Sequence, residues 1–143
     1  MIYRAVPMKV RGSDAYGSGE FWAPRGDHKH NGIDLVCEKG DLVLSPVAGI
    51  VSKHGYPYDP AGPKGHKHYI EITDELGRRH RFFYCEPMLP MDSKVRQGQV
   101  IGEAQGLQDI YPPREAGPMT DHVHYEIKLR DGSFMDPTSM ATN

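Results

Sequence analysis

The chain has 143 residues, enough for one compact domain and too few for two full-sized cores. Lys and Arg number 17 against 19 Asp and Glu, a formal charge of −2, so no basic field points to nucleic acid, and no apolar run reaches the roughly 20 residues of a membrane span. The 16 Gly and 12 Pro interrupt the chain too often for long amphipathic helices, which excludes a helical bundle, and the two cysteines, Cys37 and Cys85, are too few for a disulfide scaffold and read as free thiols.

Residues 1–29 are polar and Gly-rich with no sustained period and read as an arm or loop leading into the fold. Leu42 to Leu44 and Ile50 to Val51 flank Pro46 and Gly49 as two short strands joined through a turn. His68 to Thr73 alternates, Asp74 to Gly77 is turn-like, and Arg79 to Cys85 follows, a hairpin with a longer loop. Val95 to Gly102 supplies a turn and a further strand. His122 to Leu129 alternates cleanly, with Asp131-Gly132 turning it toward Phe134 and Met135. The stretches 55–67 and 106–121 are long Pro/Gly loops of the kind that border binding sites. The expected fold is all-β: a compact antiparallel sandwich or barrel-like domain with long loops around a groove.

Eight histidines exceed what packing a domain of this size needs. His30 and Asp34 share one face of either a helix or a strand, as a zinc pair does or as a surface turn does. On a strand, His122, His124 and Glu126 face one way while Val123, Tyr125 and Ile127 face the other into a core. His-x-His also occurs at His28/His30 and His66/His68, so the spacing alone is not specific. His66 and His68 share parity with Ile70 and Ile72 and read as a core-facing edge. His28 reads as a solvated loop residue and His54 as a turn residue. His80 shares parity with Phe82, Tyr84 and Glu86, which places it either in a groove or on an edge-strand surface.

Taken in order, these segments resemble the M23 (lysostaphin/LytM-like) zinc metallopeptidases. The resemblance rests on HNGIDL at 30–35, GDLVLSPVAGIV at 40–51, HYIEIT at 68–73, FFYCEP at 82–87, VRQGQVIGEA at 95–104, HVHYEI at 122–127 and MDPT at 135–138. It implies a zinc domain over residues 30–138, of duplicated-hybrid or sandwich type, with 1–29 as arm and 139–143 as tail. It implies Zn2+ held by His30, Asp34 and His124 with an open fourth position, His122 as a catalytic histidine, and Tyr84 and His80 as substrate-binding candidates. The family's second catalytic histidine, in Tyr-x-His, falls on Glu86, which the resemblance makes the general base. The implied substrate is a peptidoglycan cross-bridge or stem peptide; the expected protein is a monomer, and charge and hydropathy argue against nucleic acid and membrane insertion. The segments LVCEKGD, FFYCEP and IYPPREAG resemble the family's non-catalytic LECT-type chemotaxin branch, and with them the alternative is a zinc-containing binding or structural module, for example in a phage particle. The opening MIYRAVPMKVRGSD lacks the apolar stretch of a secretory signal, so the expectation is cytoplasmic synthesis, with access to the cell wall after lysis or as part of a phage particle.

Overall fold

The computed structural model describes residues 5–7, 9–13, 17–111, 113–114 and 117–141. The remainder of the expected arm, of the 106–121 loop and of the tail lies outside the described residues. The described elements are twelve strands and one helical turn. In chain order the strands are β1 (Pro24–Arg25), β2 (His28–Lys29), β3 (Gly32–Val36), β4 (Leu42–Leu44), β5 (Gly49–Gly55) and β6 (Tyr69–Thr73). They continue with β7 (Arg79–Phe83), β8 (Cys85–Pro87), β9 (Lys94–Val95), β10 (Val100–Ala104), β11 (His122–Lys128) and β12 (Phe134–Met135), and α1 (Thr138–Ala141) closes the chain. The domain is all-β and its strand pairs are antiparallel.

The large sheet runs β12-β11-β7-β6-β5-β9, with β3 also paired to β11. A smaller sheet runs β4-β10-β8, and β1 and β2 form a separate ribbon. The two strands expected around Pro46 therefore belong to different sheets: β4 pairs with β10, whereas β5 pairs with β6 and β9. The expected hairpin holds, with Thr73 opposite Arg79 and Tyr69 opposite Phe83.

One core lies between the two sheets. Val43, Cys85, Ile101 and Ala104 come to it from the small sheet, and Val51, Ile70, Ile72, Phe82, Val123, Tyr125 and Ile127 from the large one. The alternation of β11 is realised in full: Val123, Tyr125 and Ile127 have no exposed surface, and burying each such side chain contributes about 1.5–3 kcal/mol. Tyr125 stacks on Phe82 with centroids 4.5 Å apart. Cys37 and Cys85 are both buried free thiols in this core.

The arm is built into the fold where it is described. Val6 donates its N–H to the Leu42 carbonyl, and Arg11 N–H bonds to the Asp34 carbonyl at 2.6 Å. Gly32 opens β3 where a Cβ would collide with the Tyr125 carbonyl, so only glycine lets β3 approach β11 closely enough to pair.

Candidate metal centre and its groove

β3 and β11 pair with Asp34 opposite His124, and β11 pairs with β7 with His124 opposite Phe83. Strand alternation puts Asp34 and His124 on the face away from the core, and the turn before β3 brings His30 over them. The three donor atoms form a nearly equilateral triangle. His30 Nε2 lies 3.0 Å from His124 Nδ1 and 3.2 Å from Asp34 Oδ1, which lies 3.1 Å from His124 Nδ1. Three corners of a tetrahedron about a zinc ion at about 2.0–2.1 Å would be about 3.3 Å apart, so the donor set fits a small divalent cation with one position left over. Among the described residues this is the group of His, Cys, Asp and Glu side chains suited to a metal.

The outer atoms of the triangle are also held. His30 donates Nδ1–H to the Glu20 carbonyl at 2.9 Å, and His124 donates Nε2–H to Glu126 Oε1 at 2.9 Å. Each contact fixes the tautomer and turns the other ring nitrogen's lone pair into the triangle. Asp34 divides its oxygens: Oδ1 faces the imidazoles, while Oδ2 accepts from Arg11 Nη2 at 3.0 Å and Nε at 3.3 Å, with Arg25 Nη2 at 3.7 Å. Burial opposes the charge on Asp34, but His122, His124 and His30 hold its carboxyl well below the usual carboxylate range. Burial likewise pulls His124 down, and the hydrogen bonds to Asp34 and Glu126 outweigh it, raising its pKa to about 9. The two carboxylates thus favour positive charge between them, which a metal ion could supply in place of a proton.

A cavity of about 380 Å³ opens over the triangle, and Arg25, His28, Lys29, Phe83, Tyr84, Leu107 and Tyr111 are among the residues that line it. His122 sits beside the donors, with Nε2 3.4 Å from Asp34 Oδ2. Its Nδ1–H donates to the Thr120 carbonyl at 2.7 Å, and burial lowers its pKa, so the ring is neutral with its lone pair at Nε2. Tyr84 has φ of 65°, a left-handed conformation at the corner where the chain leaves β7 for β8 and changes sheets. Its ring meets His122 edge-on at 5.7 Å, and its hydroxyl begins a chain of phenols, 3.1 Å to Tyr58 and from there 2.5 Å to Tyr111. Burial raises the Tyr84 and Tyr58 pKa values, so both stay protonated. Lys64 lies over the Tyr58 and Tyr111 rings.

Several sequence expectations end elsewhere. Glu86 is not among the residues lining this cavity; its Oε2 lies 3.4 Å from His68 Nε2 and 3.4 Å from Gln105 Nε2, in two other surface clefts. His80 has no exposed surface and lies on the core side, between the Tyr125 hydroxyl and Asp74 Oδ2, each 2.8 Å away. Its parity with Phe82 is real, but that face is the core. His66 and His68 precede β6 and do not extend a core edge: His66 pairs with Asp109 at the surface, and His68 packs on Tyr56. His54 lies on β5, not in a turn, and bonds to the Leu89 carbonyl. Arg11, Arg25, Tyr58 and Tyr111 are site residues that the sequence reading did not single out.

A donor group of two histidines and one aspartate thus lies on an antiparallel sheet beneath a groove walled by loops. The chain belongs to peptidase family M23, whose family model matches residues 28–137. It is 29% identical over 121 residues to leukocyte cell-derived chemotaxin-2 of Mus musculus, covering 82% of this chain and 72% of the relative. It is also 29% identical over 139 residues to myeloid protein 1 of Gallus gallus, covering 92% of this chain but 37% of that protein. In structure it is similar to the catalytic domain of the antimicrobial peptidase lysostaphin from Staphylococcus simulans, with a TM-score of 0.64 at 18% identity over 89% of this chain and 91% of that one. It is similar as well to the catalytic domain of the prophage-encoded M23 protein EnpA from Enterococcus faecalis, in a mutant form, with a TM-score of 0.59 at 22% identity over 90% and 88% of the two chains. Among the described residues no helix is long and apolar enough to cross a membrane.

Proposed function

We propose that this chain is a zinc-dependent endopeptidase acting on cross-bridge or stem peptides of peptidoglycan, with His30, Asp34 and His124 holding the metal. The observation that carries the reading is the donor triangle, whose three members each have the far atom held by Glu20, Arg11 or Glu126. A zinc ion there supplies a Lewis acid for the scissile carbonyl and draws the pKa of water toward about 7.

The chain's own groups do the rest. His122 accepts a proton from the attacking water at Nε2 and returns it to the leaving amine, while the Thr120 carbonyl keeps the ring oriented. Tyr84 and Tyr111 present their phenols along the cavity wall to orient an extended peptide and donate to its carbonyls. His122 therefore takes the base role that the sequence reading gave to Glu86. The unit proposed for residues 30–138 also uses two cations from the 1–29 arm, Arg11 and Arg25, which neutralise the outer oxygen of Asp34.

The position of Glu86 favours a second reading, a metal-containing binding module of the kind that a 29% identical chemotaxin suggests. Digestion of purified peptidoglycan and of a short cross-bridge peptide by zinc-loaded protein separates the two. Cleavage that Asp34→Ala and His122→Ala both remove supports the peptidase. A protein that holds one zinc and cleaves neither substrate is the binding module.

A further inference from the structure

The metal-bearing face of the large sheet carries a second polar row, one pleat along β11 from the donor triangle. Glu126 stands opposite Arg81 across β11 and β7, and Arg81 stands opposite Glu71 across β7 and β6. Beyond Glu71, the register shift of β5 between Val51 and Lys53 brings Ser52 into the same row. The contacts are continuous. Arg81 donates from Nη1 to Glu126 Oε2 at 3.4 Å and from Nε to Glu71 Oε2 at 2.7 Å. Ser52 donates to Glu71 Oε1 at 2.8 Å, and Thr73 donates to Ser52 at 2.7 Å. Both carboxylates are 5% exposed.

Two buried carboxylates around one guanidinium are a poor device for stability alone, because desolvation offsets most of the Coulombic gain and apolar residues of similar shape do as well. Their placement suits another purpose. Glu126 has two oxygens, of which one accepts from the ligand His124 and the other from Arg81. The terminal torsion of a glutamate is broad, so without Arg81 the carboxylate turns and His124 loses the fixed acceptor that directs its lone pair inward. Glu71 in turn fixes Arg81, and Ser52 and Thr73 fix Glu71.

We propose that Arg81 and Glu71 are positioning residues for the metal centre, acting through Glu126 to set the orientation and donor strength of His124 from two strands away. The inference rests on the reading of the triangle as a zinc site. It is tested on the full chain by measuring zinc affinity against a competing chelator, together with the absorption spectrum of the cobalt-loaded protein and the thermal midpoint of the metal-free form. Arg81→Gln is expected to weaken zinc binding about 10- to 100-fold and to alter the cobalt bands, with Arg81→Lys recovering part of the loss. Glu71→Gln keeps the size of the side chain and its bond from Ser52, and is expected to weaken zinc binding about tenfold; it serves if Arg81→Gln does not fold. Variants that lower the thermal midpoint but bind zinc within twofold of wild type, with superimposable cobalt spectra, overturn the inference and leave the zinc site standing. A wild-type chain that binds no zinc overturns both.

Discussion

The Glu86 carboxylate lies 3.4 Å from His68 Nε2 and shares the same oxygen with the Gln105 amide, also at 3.4 Å. That engagement turns the residue standing at the family's second histidine into part of a surface cleft rather than of the metal groove. Glu86→Ala should therefore leave peptidoglycan cleavage within about twofold of wild type, the scale of a substitution that removes no transition-state contact. A loss of a hundredfold or more would return Glu86 to the base role and require the carboxylate to swing into the groove when substrate binds.

His122 is expected to behave in the opposite way. Its proton is fixed at Nδ1 by the Thr120 carbonyl and its lone pair at Nε2 faces the site, so on the proposed peptidase reading it would transfer protons without holding the metal. His122→Ala should lower kcat/KM by about 10²- to 10⁴-fold, the usual contribution of general acid–base catalysis, while zinc stoichiometry stays at one. Metal analysis beside the kinetics checks both halves.

On the proposed reading Asp34 would couple metal binding to folding. Its Oδ1 belongs to the donor triangle and its Oδ2 to Arg11, whose side chain is 2% exposed. Asp34→Ala removes a corner of the donor triangle and the acceptor of two hydrogen bonds from Arg11, each worth about 1.5–3 kcal/mol when a charged group takes part. The variant should bind no zinc and melt well below the metal-free wild type. By the same linkage, a chelator should lower the thermal midpoint of wild type and have no effect on the variant.

The alternation of β11 is legible in the sequence because strand parity is local: His122, His124 and Glu126 face away from the core whenever Val123 and Tyr125 face it, whereas the choice of His30, Asp34 and His124 as a donor set comes from the family resemblance. Parity fails where the backbone leaves the β region. His80, Phe82, Tyr84 and Glu86 would all share one face on an unbroken strand. The positive φ of Tyr84, at the corner between two sheets, instead delivers His80 and Phe82 to the core, Tyr84 to the groove and Glu86 to the surface. Nothing local marks that corner, since a left-handed tyrosine is set by sheet switching and not by a glycine. Arg11 was illegible for a different reason. It reaches Asp34 across 23 residues of chain, from a segment with no periodicity to reveal that it packs at all.

The pH dependence of stability should be traceable to a pair remote from the groove. His80 bonds to Asp74 Oδ2 at 2.8 Å, and Arg78 Nε reaches the same oxygen at 2.7 Å. Burial would raise the Asp74 pKa, but the hydrogen bonds from His80 and Arg78 outweigh it and bring it from 3.8 to about 2. A depressed carboxyl pKa contributes stability that is complete above the unfolded value and is lost as pH falls through the folded one. Asp74 should thus contribute about 2 kcal/mol at neutral pH, losing it between about pH 4 and pH 2. His80 acts in the same direction at higher pH. Burial lowers its pKa below 6.5, so the unfolded chain takes up the proton first and stability falls as pH drops through that value. Urea unfolding of wild type and Asp74→Asn should differ by about 2 kcal/mol at pH 7 and converge toward pH 2. A difference that stays constant across that range would mean that the Asp74 contacts stabilise through shape and not through charge.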